Sequence, residues 1–112
     1  MPEYSAPLKE MQFVLNELNG LSNICEASGN EDVSIDVVEA TLNEAAKLAT
    51  EVLSPLNVVG DRSPARVENK AVIESEGFAE AYQQFYQGGW SALPCSAEYG
   101  GMAFPEVVAA AV

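Results

Sequence analysis

The sequence predicts an all-α fold in the form of an incomplete helical bundle. Three stretches, near residues 8–18, 38–56 and 78–85, carry apolar residues three and four positions apart, which is the spacing of one helix face. Proline and glycine residues lie at the ends of these stretches, where they are expected to begin or end a helix. The chain has no internal repeat, and its 112 residues suit one small domain with one core.

The first predicted helix begins near Ser5 and Pro7. A serine can cap a helix, and a proline is tolerated in the first turn because its missing N–H would be unpaired there. Asn19-Gly20 provides the stop signal. The predicted apolar face consists of Leu8, Met11, Val14, Leu15 and Leu18.

Phe13 lies nearly opposite this face, among polar neighbours. An isolated exposed aromatic residue is common and needs no functional explanation. The more specific hypothesis is that Phe13 docks on another part of a larger protein.

Residues 22–34 are rich in Ser, Asn, Gly and acids, which predicts a linker with a polar centre at 28–32. The second helix follows, with Asp36 as its predicted cap and Glu39 as the other half of a capping box. Pro55 is predicted to end it, because a proline pushes the preceding residue out of helical geometry. The length favours a bundle helix over a coiled coil. Its apolar face consists of Val38, Leu42, Ala45, Ala49, Val52 and Leu56.

Residues 57–75 predict either a small hairpin or an extended loop, with a turn at 61–64. Arg62 and Arg66 are two of only five cations in the chain, so we expect them to form local ion pairs.

Ser75 is the predicted cap of a third helix, whose face of Phe78, Tyr82 and Phe85 is typical of a core. Gly88-Gly89 should stop this helix, and Trp90 should act as a large anchor. Residues 94–101 predict a loop, and a fourth helix is expected to start near residues 104–106.

The chain stops at Val112, within an apolar run that follows Pro105. This predicts the front piece of a larger protein, with its last helix cut. We expect such a piece to expose the apolar surfaces of residues 104–112 and to associate with itself.

Composition excludes several functions. Seventeen acidic residues against five basic ones give a net charge of −12, which argues against nucleic acids and anionic membranes as partners. The absence of histidine removes His-based metal sites and Ser-His or Cys-His chemistry. Cys25 and Cys95 lie outside any Cys-x-x-Cys motif, and a disulfide between them is disfavoured without a secretion signal. The N-terminus lacks signal-peptide features, so the expected location is cytoplasmic.

The motifs single out no catalytic residue and no metal ligand. Gly100-Gly101 lacks the flanking pattern and the lysine of a phosphate loop, so the two glycines are better explained by a tight turn. Glu98 is interpreted as a solvated loop carboxylate. On these grounds alone the chain is a helical module.

Several short motifs follow one another in the second half of the chain: Phe78, Gly89-Trp90, Leu93-Pro94 and Glu98-Tyr99-Gly100-Gly101. In this order they resemble the N-terminal helical domain of acyl-CoA dehydrogenases, in which a helix leads to a Gly-Trp step, a Pro-Glu-x-Tyr-Gly-Gly loop and another helix. The opening, residues 4–17, and the second helix up to Asn57 look like those of a longer subfamily that includes enzymes acting on 3-methylmercaptopropionyl-CoA.

The chain departs from the family pattern at two points. Cys95-Ser96-Ala97 separates Pro94 from Glu98, where the family usually has Pro-Glu. Met102 and Ala103 follow Gly101, where the family often has a further glycine.

The resemblance implies an N-terminal domain spanning residues 1–112, with a subfamily-type extension at 1–32 and core helices at 33–112. The intact protein would bind FAD between later domains and oxidise the α,β C–C bond of an acyl-CoA with a glutamate base from its C-terminal part. It would need an electron acceptor, and it is expected to be a homo-oligomer. None of the family's catalytic or flavin-binding residues corresponds to a position in residues 1–112. The resemblance implies that this domain forms part of the wall of the acyl cavity. By itself the domain would be inactive and would bind no flavin. Tyr99, Gly100 and Gly101 are the candidates for lying near that cavity.

A second hypothesis belongs to another class. The chain would be a stand-alone acidic helical module that binds a protein partner through exposed apolar residues such as Phe13 and the run 102–112.

Overall fold

The computed structural model describes residues 3–30 and 32–112. In these ranges the chain is mostly helical, with one two-stranded hairpin, so the predicted helical class is confirmed. Met1 and Pro2 of the predicted extension, and Glu31 of the predicted linker, lie outside the described residues.

Helix α1, Leu8–Phe13, continues without a break into a π-helical turn, Val14–Leu18. The Asn19 N–H donates to the carbonyl of Val14 at 2.9 Å, five residues back, which widens the last turn. The wider turn rotates the apolar stripe. Leu15 is therefore buried, whereas Leu18, predicted on the same face, is 67% exposed.

Two further predictions for this helix have different outcomes. Pro7 occupies the position before the first helical residue, and no side chain caps it, so the prediction of Ser5 as the cap is wrong. Ser5 lies too far before Leu8 to reach the first free amides. Phe13 is exposed, as its place opposite the apolar face predicts.

The predicted linker contains a helix instead. Helix α2, Leu21–Ala27, starts after Gly20, whose φ of +62° makes the sharp change of direction between α1 and α2. Leu21 and Cys25 are four positions apart and both are buried in the core. The polar residues of this stretch form the outer face of a short amphipathic helix. Their polar composition by itself therefore led to the wrong prediction of a linker.

Helix α3, Ile35–Lys47, is capped by Ser34, not by Asp36. The Ser34 side chain accepts from the Val37 N–H at 3.2 Å. Asp36 instead lies in the first turn, where a carboxylate interacts favourably with the helix dipole.

The second helix does not end at Pro55. A π-helical turn, Leu48–Leu53, joins α3 to helix α4, Ser54–Arg62. Pro55 lies in the first turn of α4. The π-helical turn shifts the backbone hydrogen bonds away from the usual i to i−4 pattern at this point. The missing N–H of the proline therefore removes little stabilisation from the helix.

The hairpin alternative is confirmed for residues 66–73. Residues 57–62, predicted within the same stretch, belong to α4, so the predicted turn at 61–64 begins too early. Strands β1, Arg66–Glu68, and β2, Ala71–Ile73, pair antiparallel across a two-residue turn. Asn69 and Lys70 have φ of 49° and 65°, which is the geometry of a type I′ turn. Arg66 pairs with Glu68, in line with the expected local ion pair.

Helix α5, Phe78–Gln87, follows Gly77, whose φ is +81°. The prediction of Ser75 as its cap is wrong. Ser75 is buried and its hydroxyl donates to the carbonyl of Ser63 at 2.7 Å, which ties the base of the hairpin together. Gly88 follows the last helical residue, as the stop signal predicts.

The last helix, α6, Glu106–Ala111, closes the core. Val108 has no exposed surface, and Phe104 and Val107 pack against the core. The expectation that residues 104–112 are uncovered is therefore only partly met: the inner face of α6 is buried at Val108, whereas Ala110 and Val112 are exposed. The expected self-association stays a prediction. The core cluster consists of Leu15, Leu21, Cys25, Val38, Leu42, Leu93 and Val108.

The π-helical turn of residues 14–18 makes a prediction about stability. Leu15→Ala should lower the free energy of unfolding by about 2–5 kcal/mol because it leaves a cavity in the core. Leu18→Ala, the matched control, should change it by about 0.5 kcal/mol or less, because Leu18 is largely exposed. Urea unfolding followed by circular dichroism measures both, and equal losses would contradict the rotated face.

Candidate functional site

The three candidate residues, Tyr99, Gly100 and Gly101, lie in a loop of residues 93–104, here called the glycine loop. The loop contains a short 3₁₀ turn, Ala97–Tyr99, whose start is capped by the Ser96 side chain. Gly100, with a φ of +84°, reverses the chain after this turn. The three residues are therefore placed together by the turn itself.

Backbone hydrogen bonds hold the two ends of the glycine loop side by side. The Ala103 N–H donates to the carbonyl of Cys95 at 2.8 Å, and the Phe104 N–H donates to the carbonyl of Leu93 at 3.0 Å. Leu93 is buried in the core. The loop is thus closed by its own hydrogen bonds and anchored to the core at its base, so its backbone conformation is fixed.

Gly101 lies against the opposite side of the loop. A Cβ atom at this position would lie 2.1 Å from the carbonyl oxygen of Cys95. Gly100 is different, because a Cβ atom there would meet open space. Gly101 is therefore required by close backbone approach, and Gly100 by its positive φ.

Ala103 adopts a φ of +54°, a conformation that costs an L-residue roughly 1–2 kcal/mol. The hydrogen bond from Ala103 to Cys95 holds it there. Ala103, one of the two residues that depart from the family pattern after Gly101, therefore has a strained backbone.

The tyrosine of the loop faces solvent. Tyr99 is 83% exposed. It is not among the residues that line the neighbouring groove of about 450 Å³, here called the Trp90 groove. Two residues of the glycine loop line this groove, Leu93 at its base and Met102 after the turn, and Met102 was not among the residues predicted from the sequence. The lining consists of Val37, Ala40, Thr41, Glu44, Gly88, Trp90, Leu93 and Met102.

A second open groove, of about 380 Å³, lies between α4 and α5 and is here called the aromatic groove. The prediction that Phe78, Tyr82 and Phe85 form a core is wrong, because Ala81 is the buried residue of α5 and Tyr82 is 68% exposed. The ring of Phe78 nevertheless lies close to Gly60 of α4. The lining consists of Leu53, Leu56, Asn57, Phe78, Ala81, Tyr82 and Phe85.

The electrostatics of the Trp90 groove are simple. Glu44 on its rim accepts a hydrogen bond from Lys47 at 2.5 Å, and this bond raises the pKa of Lys47. Both side chains are exposed, so the pair is screened by water. Lys47 stays charged at neutral pH, and any stability from the pair is lost only as the pH rises through that raised pKa.

The described residues show neither a metal-binding cluster nor a disulfide. Among residues 3–30 and 32–112, no group of three or more His, Cys, Asp or Glu residues is placed to hold a metal ion. Cys25 is buried and Cys95 is exposed, and both are free thiols. No helix of these ranges is long and apolar enough to span a bilayer.

Comparison with known proteins agrees with the resemblance seen in the sequence. A 3-methylmercaptopropionyl-CoA dehydrogenase of Ruegeria pomeroyi is 35% identical over 108 residues, and the broad-specificity linear acyl-CoA dehydrogenase FadE5 of Mycobacterium tuberculosis is 26% identical over 110 residues. Both alignments cover 96% of this chain but only 18% of the relative, so the chain spans less than a fifth of the length of these relatives. No family model matches the chain.

The glycine loop makes a prediction about its two glycines. Gly101→Ala should destabilise the protein by more than about 2 kcal/mol, because the new methyl group overlaps the Cys95 backbone. Gly100→Ala should cost about 1–2 kcal/mol through its positive φ alone. Thermal unfolding compares the two variants, and a Gly100→Ala variant that is the less stable would contradict the described loop.

Proposed function

We propose, from the premise that this chain is a homologue of acyl-CoA dehydrogenases, that it forms the N-terminal helical domain of such an enzyme. The observation that carries the proposal is the alignment of 96% of the chain with two curated acyl-CoA dehydrogenases. The proposed parent oxidises the α,β C–C bond of an acyl-CoA, binds FAD and passes electrons to a separate acceptor. A cytoplasmic location and homo-oligomeric assembly are part of the same proposal.

The flavin contacts belong to other parts of the proposed parent. The diphosphate of FAD favours cationic side chains or helix N-termini. The Trp90 groove and the aromatic groove contain no lysine or arginine among their lining residues. These two grooves therefore do not fit the diphosphate of the cofactor, and no catalytic step is assigned to them.

The role proposed for this domain is to wall the acyl cavity. Acyl chains are bound by apolar surfaces with few polar groups. The Trp90 groove has this character, and Met102 connects it to the glycine loop. In this proposal Tyr99, Gly100 and Gly101 form the rim near the cavity. The exposed ring of Phe13 is proposed to contact another domain.

The first test is whether the complete protein carries a flavin that an acyl-CoA reduces. The complete reading frame is expressed, and its visible spectrum is recorded before and after an acyl-CoA is added without oxygen. Flavin absorption that bleaches is the expected result, because α,β-oxidation delivers two electrons to the flavin. A colourless product, or a flavin that no acyl-CoA bleaches, contradicts the proposal and favours the protein-interaction module.

A substitution of Tyr99 tests whether this residue lies at the rim of the acyl cavity. Tyr99→Ala should leave folding and flavin content unchanged because the ring is exposed. It should raise the KM for long-chain acyl-CoA several-fold by removing apolar contact. Tyr86→Ala, an equally conservative change at an exposed tyrosine of α5, is the matched control and should leave KM within about twofold. Equal effects of the two variants would remove Tyr99 from the proposed site.

A further inference from the structure

The sequence contains one Asn-Gly step, Asn19-Gly20, and it forms the corner between α1 and α2. Asn19 is exposed and directly follows the π-helical turn of residues 14–18. In such a step the backbone nitrogen of the glycine can attack the carboxamide carbon of the asparagine, because glycine has no Cβ atom to crowd that nitrogen. The corner therefore carries a chemically reactive pair of residues on the protein surface.

The peptide group that joins Asn19 to Gly20 makes no backbone hydrogen bond within the described part of the chain. The Asn19 N–H, on one side of it, donates to the carbonyl of Val14 at 2.9 Å. The Gly20 carbonyl, on the other side, accepts from the N–H groups of Asn23 and Ile24. The Asn19 carbonyl and the Gly20 N–H lie between these bonds and have no backbone partner. The groups that flank this peptide group therefore hold the corner, and the peptide group itself is unrestrained.

The unrestrained peptide group can rotate while the helices beside it stay in place. Asn19 has a helical conformation, with φ of −92° and ψ of −15°, in which the Gly20 nitrogen does not face the carboxamide carbon. Opposite changes in the ψ of Asn19 and the φ of Gly20 turn the peptide plane and preserve the path of the chain. Gly20 has a φ of +62° and, as a glycine, tolerates φ values of either sign. The attack therefore requires a local rotation and no opening of the core.

We propose that Asn19 is a site of spontaneous modification, at which the folded protein converts it through a cyclic imide to aspartate and isoaspartate. The Gly20 nitrogen loses its proton and bonds to Cγ of Asn19, and the Cγ–Nδ2 bond breaks with release of ammonia. A water molecule then adds to one of the two imide carbonyls and opens the ring. Addition at Cγ gives aspartate, and addition at the backbone carbonyl carbon gives isoaspartate. The net reaction consumes one water and releases one ammonia.

Both products place a negative charge where the fold disfavours one. Asn19 closes the π-helical turn, and the carbonyl end of a helix interacts unfavourably with a carboxylate. Asn19 also borders a groove of about 390 Å³ between α1 and α6, together with the apolar side chains of Val14 and Val107. Isoaspartate in addition lengthens the backbone by one methylene group, two residues before the buried Leu21. The modified protein should therefore unfold at a lower temperature than the unmodified protein.

Asn69 provides an internal control. It is exposed and lies in the turn of the hairpin, with a φ of 49°. The residue that follows it is Lys70, whose side chain crowds the attacking nitrogen. Exposure and turn geometry are therefore shared by Asn19 and Asn69, and the glycine at the next position is not.

Peptide mapping of aged protein tests the site. The 112-residue chain is kept folded near neutral pH, sampled over weeks and digested with trypsin, and fragmentation of the peptides locates aspartate and isoaspartate. Conversion at Asn19 is expected, with Asn69, on the separate tryptic peptide of residues 67–70, left intact. Gly20→Ala should slow the conversion several-fold, because its methyl group crowds the nitrogen. An Asn19 that stays intact, or that converts no faster than Asn69, overturns the proposal.

A second measurement needs no variant and shows whether the folded protein reacts. The rate at Asn19 is measured in buffer and in urea, and the unfolded fraction in buffer follows from the free energy of unfolding. A rate in buffer well above the product of the urea rate and that fraction is expected, because local rotation suffices. A rate equal to the product means that the chain reacts only when unfolded, and it overturns the proposal. Neither measurement uses acyl-CoA or flavin, so the result is independent of the proposed function.

Discussion

The fold depends on the burial of α6 against the first three helices. Val108 has no exposed surface, and it shares one cluster with Leu15, Leu21 and Leu42. These residues come from elements that are far apart in the sequence, so the cluster joins both ends of the described chain. Burying such side chains contributes on the order of 1.5–3 kcal/mol each. Leu93 extends the cluster to the base of the glycine loop, so the loop and the core are coupled.

The elements outside this cluster leave apolar surface uncovered. The hairpin contributes no residue to the core cluster, and Ala81 is the buried residue of α5. The aromatic groove and the Trp90 groove both lie next to α5. In the proposed acyl-CoA dehydrogenase, these surfaces are available to the acyl chain and to other domains. The tightly packed part then serves as the support, and the loosely packed part as the contact surface.

The sequence predicted the helical class, the separation of the three main helices and the glycine stop after α5. These features depend on local periodicity and on glycine, which one segment carries by itself. The π-helical turns at 14–18 and 48–53 were not predicted, because one displaced hydrogen bond leaves no mark on the apolar pattern. They explain why Leu18 is exposed and why the helix passes Pro55.

The tight turn at Gly100-Gly101 was predicted from the sequence, whereas the role of these residues in a site is not tested. The motif Tyr99-Gly100-Gly101 correctly predicted a closed turn, because glycine is the residue that tolerates a positive φ and a close approach of another backbone segment. Whether these residues border an acyl cavity stays a proposal. The sequence pointed to Tyr99 and missed Met102, although Met102 reaches the Trp90 groove. Which side chain of a loop points into a groove depends on the backbone angles of the turn, and residue type alone does not determine these.

The most direct test of the account is a crystal structure of the complete protein with a bound acyl-CoA analogue. The account predicts that residues 1–112 keep the described core and that the glycine loop and Met102 border the acyl chain. A structure in which the acyl chain binds far from this domain, with the Trp90 groove open to solvent, would contradict it.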